Sequence, residues 1–378
     1  MFATAYKFIR FEKSKSIGIL LGIIISVYLI GLELGIFFYL TTLIGGVVNN
    51  AKPELSQIFV VSKNTNNANV LASFDRRWVT QLRSIDGIDE THGMVVANVS
   101  VRFDEGKNSP AILIGSDYPE LAAGPSEAKL VAGSTTQLLS DKTVSTDFYD
   151  NKTFGYDVKL GTRFEIGGKS VKVGAMTKNA KGFSSPILYT TDVTARSLSG
   201  FPPDDVSAVI VTVKDAAKVD NVVARINAIA PYLRAWKAED LKNTTIANVM
   251  TANNMGMSFG TLVIFAIVSG FFIIGLTMYS ASYDRIKDYG TLKAIGASSK
   301  YITRLVMAQS FLYAVTGYAI SLILLFGTKM GMAKAGLIIN LSPLFLSFLF
   351  CATLIIAVAS SMFSIQKLKK VEPSSVFK

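Results

Sequence analysis

Long apolar runs alternate with polar segments along this chain. Four runs are almost free of charged residues, and each reaches the roughly 20 residues that an α-helix needs to cross about 30 Å of hydrocarbon. These runs are Ser16–Val48, Met257–Tyr279, Leu305–Gly327 and Leu344–Ile365. Residues 50–254, between the first two runs, have the mixed composition of a globular domain. The pattern predicts a membrane α-helical protein with four transmembrane helices and one large domain between the first and second.

Residues 50–254 are expected to form an α+β domain. Strand-like and helix-like segments alternate twice, as Ile58–Ser62, Phe74–Ile85 and Met94–Phe103, and again as Ala208–Lys214, Val219–Ala230 and Leu233–Ala238. Two β-α-β units would thus bracket an inserted, mostly β subdomain over about 110–205, where turn signals are frequent. Within it, Arg163–Ile166 and Ser170–Ala175 flank Gly167-Gly168, which predicts a β-hairpin with a two-residue turn.

Charge indicates which side of the membrane each segment faces. The net charge is +11, yet the charges of residues 50–254 nearly cancel, and most of the excess lies around Lys7–Lys15, Arg285–Arg304 and Lys367–Lys378. With four spans, these three segments share one side. The positive-inside rule then places both termini and the middle loop in the cytoplasm and the large domain in the periplasm or outside the cell. No nucleic-acid partner is needed to explain the charge.

These boundaries give a predicted layout in a cytoplasmic, or inner, membrane. The first part is an amphipathic helix at the cytoplasmic face over 1–14, TM1 over 15–48, the extracytoplasmic domain over 49–255 and TM2 over 256–280. A cytoplasmic coupling loop and helix over 281–301, TM3 over 302–327, a short external loop over 328–342, TM4 over 343–365 and a basic cytoplasmic tail over 366–378 follow. The first apolar run exceeds the 7–15 residues typical of a signal-peptide core, which is the competing interpretation.

Candidate catalytic chemistry is sparse. The letters Gly167-Gly168-Lys169-Ser170 invite comparison with the P-loop, but the required first glycine is replaced by Arg163. The single cysteine, Cys351, and the single histidine, His92, can form neither a disulfide nor a Cys/His metal cluster within one chain. We therefore expect no catalytic residues, no metal site and no cofactor in this chain, so that any ATP and Mg²⁺ would be bound by a partner ATPase.

The loop after the second predicted span has the most informative pattern. Ile286, Tyr289, Leu292 and Ile295 recur at helical spacing among charged residues, and Gly296 stands where a helix C-cap is favoured. A short amphipathic helix of this kind can dock into a groove on a soluble partner. The pattern fits a solvated connector without a partner equally well.

The stretch Asp288–Ser298 resembles the E-x-G-x-L-R-A-L-G-A-S coupling segment of FtsX/MacB-type ABC permeases. Asp288 replaces the usual glutamate and Lys293 the usual arginine, so both charges are kept. The tail from Lys367 is similar to the family's basic ending, although Ser374-Ser375 depart from it. The order of one span, a large external domain and three further spans is also the family's topology. The ATPase-coupling residues implied by this resemblance are Asp288, Tyr289, Gly290, Leu292, Lys293, Ile295, Gly296, Ala297 and Ser298.

The resemblance implies a permease subunit of a type VII ABC exporter, moved by mechanotransmission from a separate ATPase. Its implied partners are two copies of a cytoplasmic ABC ATPase, a second copy of itself, membrane lipid and, where required, a periplasmic membrane-fusion adaptor. The segments Phe74–Ile88 and Leu188–Pro202 look closest to DevC-type permeases, which implies export of an amphiphile such as a glycolipid. The alternative is an FtsX-like permease that transports nothing and controls an extracytoplasmic cell-wall hydrolase.

Glu33 is an ionisable residue inside the first apolar run. A charge in hydrocarbon costs at least about 2.5 kcal/mol, so such a residue usually faces a partner or a cavity. We hypothesise that Glu33, with Phe37, Phe38 and Tyr39, lines a lateral substrate entrance between two copies of the permease. In the alternative interpretation, Glu33 reaches the outer interface or pairs within the dimer.

Overall fold

The computed structural model describes residues 2–11, 13–104, 106–252, 254–284, 286–334 and 337–369. The chain forms two compact units. The first, a helical unit, comprises residues 1–39, 257–334 and 338–378. The second, an α+β unit, comprises residues 40–256 with 335–337. The predicted basic tail over 366–378 falls mainly outside the described residues, because the description ends at Lys369.

Long apolar helices dominate the helical unit. Its helices are α1 (Phe2–Phe11), α2 (Lys13–Ile44), α9 (Met255–Asp284), α10 (Ile286–Ala294), α11 (Ser299–Lys334) and α12 (Pro343–Lys369). Within the described residues, three stretches are long and apolar enough to cross a membrane, namely Ser16–Ile44, Gly256–Thr277 and Ser299–Ala333. A shorter apolar stretch, Pro343–Ala359, lies in α12. The chain is therefore a membrane protein by length and composition, and the fourth span stays a prediction.

Small residues allow these helices to approach closely. A β-carbon added to Gly31 of α2 would lie 2.7 Å from Leu325 of α11 and 3.0 Å from Leu349 of α12. A β-carbon on Gly317 of α11 would lie 2.5 Å from Ile23 of α2. Glycine at such positions is typical of helix packing in membranes, where close contact replaces the hydrophobic effect as the source of stability.

The α+β unit contains twelve strands and six α-helices among the described residues. Its helices are α3 (Gly46–Asn49), α4 (Arg77–Arg83), α5 (Asn151–Phe154), α6 (Asp192–Ser199), α7 (Val219–Ile229) and, as the last and longest, α8 (Ala238–Ala252). Its strands are β1 (Ile58–Ser62), β2 (Phe74–Asp75), β3 (Ile88–Arg102), β4 (Asn108–Ser116), β5 (Leu130–Gly133), β6 (Thr143–Asp147), β7 (Arg163–Ile166), β8 (Lys169–Thr177), β9 (Ile187–Thr191), β10 (Asp205–Val206), β11 (Ala208–Val213) and β12 (Leu233–Lys237).

The two predicted β-α-β units are interleaved in one sheet. Strands run in the order β12-β1-β11-β3, and each neighbouring pair is antiparallel. Each β-α-β unit therefore leaves a gap that one strand of the other unit fills. This is the split β-α-β arrangement of ferredoxin-like folds, with helices α4 and α7 as its crossovers. Buried Val and Ile residues of β1 and β11 form its core with Leu82 and Ile226 of the two helices.

The inserted subdomain lies between β3 and β11 in sequence and shares β3 with the ferredoxin-like module. Residues Ile88–Met94 of β3 pair with β11, and residues Met94–Arg102 pair with β4. The strand begins six residues before the predicted start at Met94. The prediction began too late because the sequence before Met94 lacks clear alternation of apolar and polar residues. The predicted hairpin is confirmed: β7 and β8 are antiparallel, Ile166 is opposite Lys169, and Gly167 and Gly168 have φ of +58° and +72°.

One predicted helix begins later than expected. The pattern predicts a helix from Phe74, but Phe74 and Asp75 pair with Val206 and Asp205 as β2 and β10. The Asp75 carboxylate accepts a hydrogen bond from the backbone N–H of Arg77 at 2.8 Å. A side chain that accepts from a nearby N–H favours a helix start after it, and α4 begins at Arg77.

Candidate functional site

The predicted coupling segment forms α10 and the turn after it, and Tyr289 anchors it to the rest of the helical unit. The Tyr289 ring is only 2% exposed and packs in a core with Ala5 of α1, Ile302 of α11 and Ile365 of α12. Its hydroxyl donates to Oε1 of Gln309 at 3.2 Å. Leu292 packs against the same core. Tyr289 and Leu292 therefore hold α10 in place within this chain.

The opposite side of α10 faces outward. Lys287, Asp288 and Thr291 are exposed, and the Ile295 side chain just after the helix is 77% exposed. The predicted apolar stripe is thus divided: its central members contact this chain, and Ile295 is available to another protein. The side chain of Ile286 lies outside the described residues. Gly290 is buried and Lys293 is half-buried.

The end of the segment is a structural turn. Gly296 has a φ of +100°, its N–H donates to the Lys293 carbonyl at 3.0 Å, and the N–H of Ala297 donates to the Leu292 carbonyl at 2.9 Å. This pair of bonds is a Schellman motif, which confirms Gly296 as the C-cap. Ser298 then accepts a hydrogen bond at Oγ from the third N–H of α11, at 3.2 Å, as N-cap residues do.

The four residues of the proposed substrate path do not share one helix face. Glu33 and Phe37 are half-buried and one turn apart, and the Phe37 ring lies 6.1 Å from the ring of Phe259 on α9. Phe38 is 40% exposed and contacts Phe345 of α12 with ring centroids 5.7 Å apart. Tyr39 is buried. The Oε2 atom of Glu33 is buried and has no hydrogen-bond partner among the described residues.

In the α+β unit, a buried polar cluster ties the end of α3 to the inserted subdomain. The Nζ of Lys129 donates to the Asn49 carbonyl at 3.0 Å and to the side chain of Asn50. The Asn50 carbonyl accepts from the N–H of Ser126 at 3.0 Å. Gly124, with a φ of +108°, is required here because a β-carbon would overlap that same carbonyl. We call this region the junction cluster.

Two buried carboxylates, those of Asp147 and Asp150, lie near the junction cluster. Asp150 is fully buried, and its Oδ1 is 3.3 Å from Nζ of Lys181. Asp147 accepts hydrogen bonds from the N–H of Ala180 at 2.8 Å and from the Thr177 hydroxyl at 3.1 Å. Burial raises the pKa of Asp150 to about 7 and lowers the pKa of Lys129 to about 8. These buried residues were not predictable from the sequence, since isolated charges in a turn-rich segment give no signal for burial.

Stability of the α+β unit is expected to fall as pH rises from about 4 to about 7, because folded Asp150, with a pKa of about 7, keeps a proton that the unfolded chain releases at its ordinary pKa of 3.8. The two tryptophans, Trp78 and Trp236, both lie in this unit, so their fluorescence reports its unfolding in the full chain. Asp150→Asn should flatten this part of the pH profile, whereas Asp157→Asn, at an exposed carboxylate of the same subdomain, should not. An unchanged slope in Asp150→Asn would contradict the assignment.

Comparison with protein families identifies the helical unit. Residues 260–373 match the model of the FtsX-like permease C-terminal domain, a stretch that contains α10, α11, α12 and most of α9. This stretch is an FtsX-like permease domain. The predicted resemblance to FtsX/MacB-type permeases is confirmed, and the predicted coupling segment Asp288–Ser298 lies inside the matched region. Members of the matched permease family are membrane components of ABC transporters.

Comparison with solved structures finds similarity to three bacterial domains. The extracellular domain of the noncanonic ABC-type transporter YknZ from Gram-positive bacteria has 17% identity and a TM-score of 0.35, with 48% of this chain and 99% of that chain covered. The periplasmic region of MacB from Actinobacillus actinomycetemcomitans has 12% identity and a TM-score of 0.38, with coverage of 52% and 94%. A domain of a putative permease protein from Porphyromonas gingivalis has 12% identity and a TM-score of 0.30, with coverage of 48% and 87%.

The match to the FtsX-like family over residues 260–373 identifies the permease domain. Comparison with curated protein sequences gives no match. Among the described residues of this chain, no group of three or more His, Cys, Asp and Glu side chains is placed to hold a metal ion.

Proposed function

We propose that this permease is the membrane subunit of an ABC exporter that uses mechanotransmission. Two copies would pair in the inner membrane, with four spans each, cytoplasmic termini and the α+β unit on the outer side. A separate ATPase would bind ATP and Mg²⁺ and drive movement of the permease. The cargo would be an amphiphilic or hydrophobic molecule such as a lipid, a glycolipid or haem, delivered with or without a membrane-fusion adaptor as in DevC-type systems.

The arrangement of α10 is the observation that carries this proposal. Tyr289 holds α10 from one side. Asp288, Thr291 and, just after the helix, Ile295 are exposed on the other side. A helix fixed in this way cannot rotate freely, so a force applied to its exposed side would be passed to the helices that it contacts. An exposed apolar side chain next to charged neighbours is also the composition of a contact point for a soluble protein. The exposed side of α10 and Ile295 would therefore receive the ATPase, and the buried side would pass the movement to α1, α11 and α12.

The junction cluster supports the outward half of this mechanism. The chain runs from α2 through α3 directly into residues that Lys129 and Ser126 hold to the inserted subdomain. In the same unit, Val47 and Val48 of α3 share a core with Leu241 of α8. The segments that enter and leave the α+β unit are therefore packed together, so a shift of either one would displace the sheet that both support.

Ile295→Asp is expected to weaken binding of the ATPase at least about tenfold. In the complex, an apolar contact with the ATPase would be replaced by a charge that must lose its water. Co-purification of the full-length permease with its P-loop ATPase measures this effect. Ile229→Asp is the matched control, because it makes the same change at an exposed isoleucine of α7, far along the chain from the coupling segment. Equal retention of ATPase by Ile295→Asp and wild type would overturn the proposed contact.

The same complex distinguishes export from signalling. Stimulation of ATP turnover by a lipid-like amphiphile supports export, whereas stimulation only by a cell-wall hydrolase supports the FtsX-like alternative. Both outcomes keep the ATPase contact.

A lateral entrance at Glu33 is the proposed substrate path, supported by its buried oxygen without a described partner and by the aromatic rings of Phe37 and Phe38. Glu33→Gln keeps the shape and removes the charge, so export should decline while the permease still assembles with its ATPase. Phe38→Leu tests the exposed ring separately. Unchanged export by Glu33→Gln would assign the carboxylate a structural role.

A further inference from the structure

The inserted subdomain contains a cationic cleft that neither the permease fold nor ATPase coupling explains. The cleft has a volume of about 670 Å³, and the described residues that line it include Lys142, Arg163 and Lys172, together with Asp141, Ser140 and Ser170. Three positive groups therefore face one negative group. We call this site the cationic cleft.

The backbone places the cations side by side. Arg163 of β7 and Lys172 of β8 are directly opposite each other in the antiparallel hairpin. Lys172 is also the partner of Thr143 on the other side, in the parallel pair of β8 and β6. Lys142 immediately precedes Thr143, and its carbonyl accepts from the N–H of Lys172 at 2.9 Å. Strands β7 and β8, with the residue just before β6, thus bring three positively charged residues close together.

This arrangement is unfavourable in an empty cleft. Like charges directly opposite each other across two strands destabilise a sheet. Arg163 and Lys172 are both exposed, and neither forms an ion pair within 4.0 Å among the described residues. Lys142 has only a long pair with Asp141, at 3.9 Å. Lys142 also has a φ of +49°, a conformation that non-glycine residues rarely adopt and that is frequent at functional sites.

An anion would remove the repulsion, and the cleft indicates which kind. An arginine fork next to lysines suits the oxygens of a phosphate. The volume falls within the roughly 300–1,000 Å³ typical of sites for small organic molecules and is too large for a phosphate alone. The side chains of Gln137, Ser140 and Ser170 are among the other residues that line the cleft, which favours a ligand with a polar body. We propose that the cationic cleft binds a phosphorylated polyol or sugar, presented either as a free molecule or as the headgroup of an anionic lipid.

Binding to the full-length permease in neutral detergent tests this proposal. Glucose 6-phosphate and glycerol phosphate are the free probes, and nanodiscs with or without phosphatidylglycerol present the lipid form. Binding of either form is expected to raise the unfolding temperature reported by Trp78 and Trp236, and added salt should reduce it. Response to the free probes identifies a soluble ligand, and response only to phosphatidylglycerol identifies a headgroup.

Lys172→Gln and Arg163→Gln should each weaken this binding by about tenfold or more, the loss expected for one charge-assisted hydrogen bond. Without ligand, both variants should be as stable as wild type or more stable, because the opposed charges are relieved. Lys152→Gln removes one positive charge from an exposed position of the same subdomain and should leave binding unchanged. The absence of binding by every probe, or equal losses in Lys152→Gln and Lys172→Gln, would overturn the proposal, and neither result depends on the ATPase.

Discussion

Gly167→Ala is expected to destabilise the α+β unit by about 2–5 kcal/mol, whereas the same change at the neighbouring Gly168 should cost only about 1 kcal/mol. Both residues have positive φ in the turn between β7 and β8, so alanine is strained at either one. Only Gly167 has a second constraint, because a β-carbon there would overlap the backbone carbonyl of Leu198 on α6. A backbone atom cannot move aside as a side chain can.

Urea unfolding of the full-length permease, followed by tryptophan fluorescence, measures this difference. Gly168→Ala is the internal control, since a β-carbon there meets nothing within 4 Å. The pair separates turn strain from steric overlap at adjacent positions with the same substitution. Equal losses in the two variants would show that α6 does not press on the turn.

Tyr289→Ala should release α10 and abolish ATPase binding. Removing a buried aromatic ring from a packed core costs about 3–5 kcal/mol, and α10 is too short to stay helical without its tertiary contacts. Limited proteolysis should therefore cut at Lys287 or Lys293 in the variant and spare these sites in the wild type. Co-purification with the ATPase should be lost together with this protection.

Tyr289→Phe is the matched control for this anchor. It keeps the ring in the core and removes only the hydroxyl that donates to Gln309, so it should cost about 1 kcal/mol and preserve both protease resistance and ATPase binding. If Tyr289→Ala kept full ATPase binding, the buried side of α10 would have no part in coupling.

Local sequence signals predicted the elements that depend on local chemistry. The hairpin at Gly167-Gly168 follows from two glycines between alternating strands, and the C-cap at Gly296 follows from a glycine after an amphipathic run. The strand β1 has the predicted bounds, Ile58–Ser62. In each case the residues that determine the structure are neighbours along the chain.

Features that depend on distant contacts were not predictable in this way. The interleaving of the two β-α-β units requires β11 to lie between β1 and β3, which no periodicity encodes. The inward orientation of Tyr289 depends on Ala5, Ile302 and Ile365, so an apolar stripe alone could not show whether this chain or a partner covers it. The burial of Asp150 likewise depends on residues far away in sequence.

Strand β3 makes the two halves of the α+β unit inseparable. Its 15 residues form one continuous strand. The first half pairs with the ferredoxin-like module, and the second half pairs with the insertion. A gene fragment that began after Arg102 would leave β4 and β7 without their common neighbour. Swapping the insertion between related permeases would therefore succeed only if the exchanged segment included its own copy of the second half of β3.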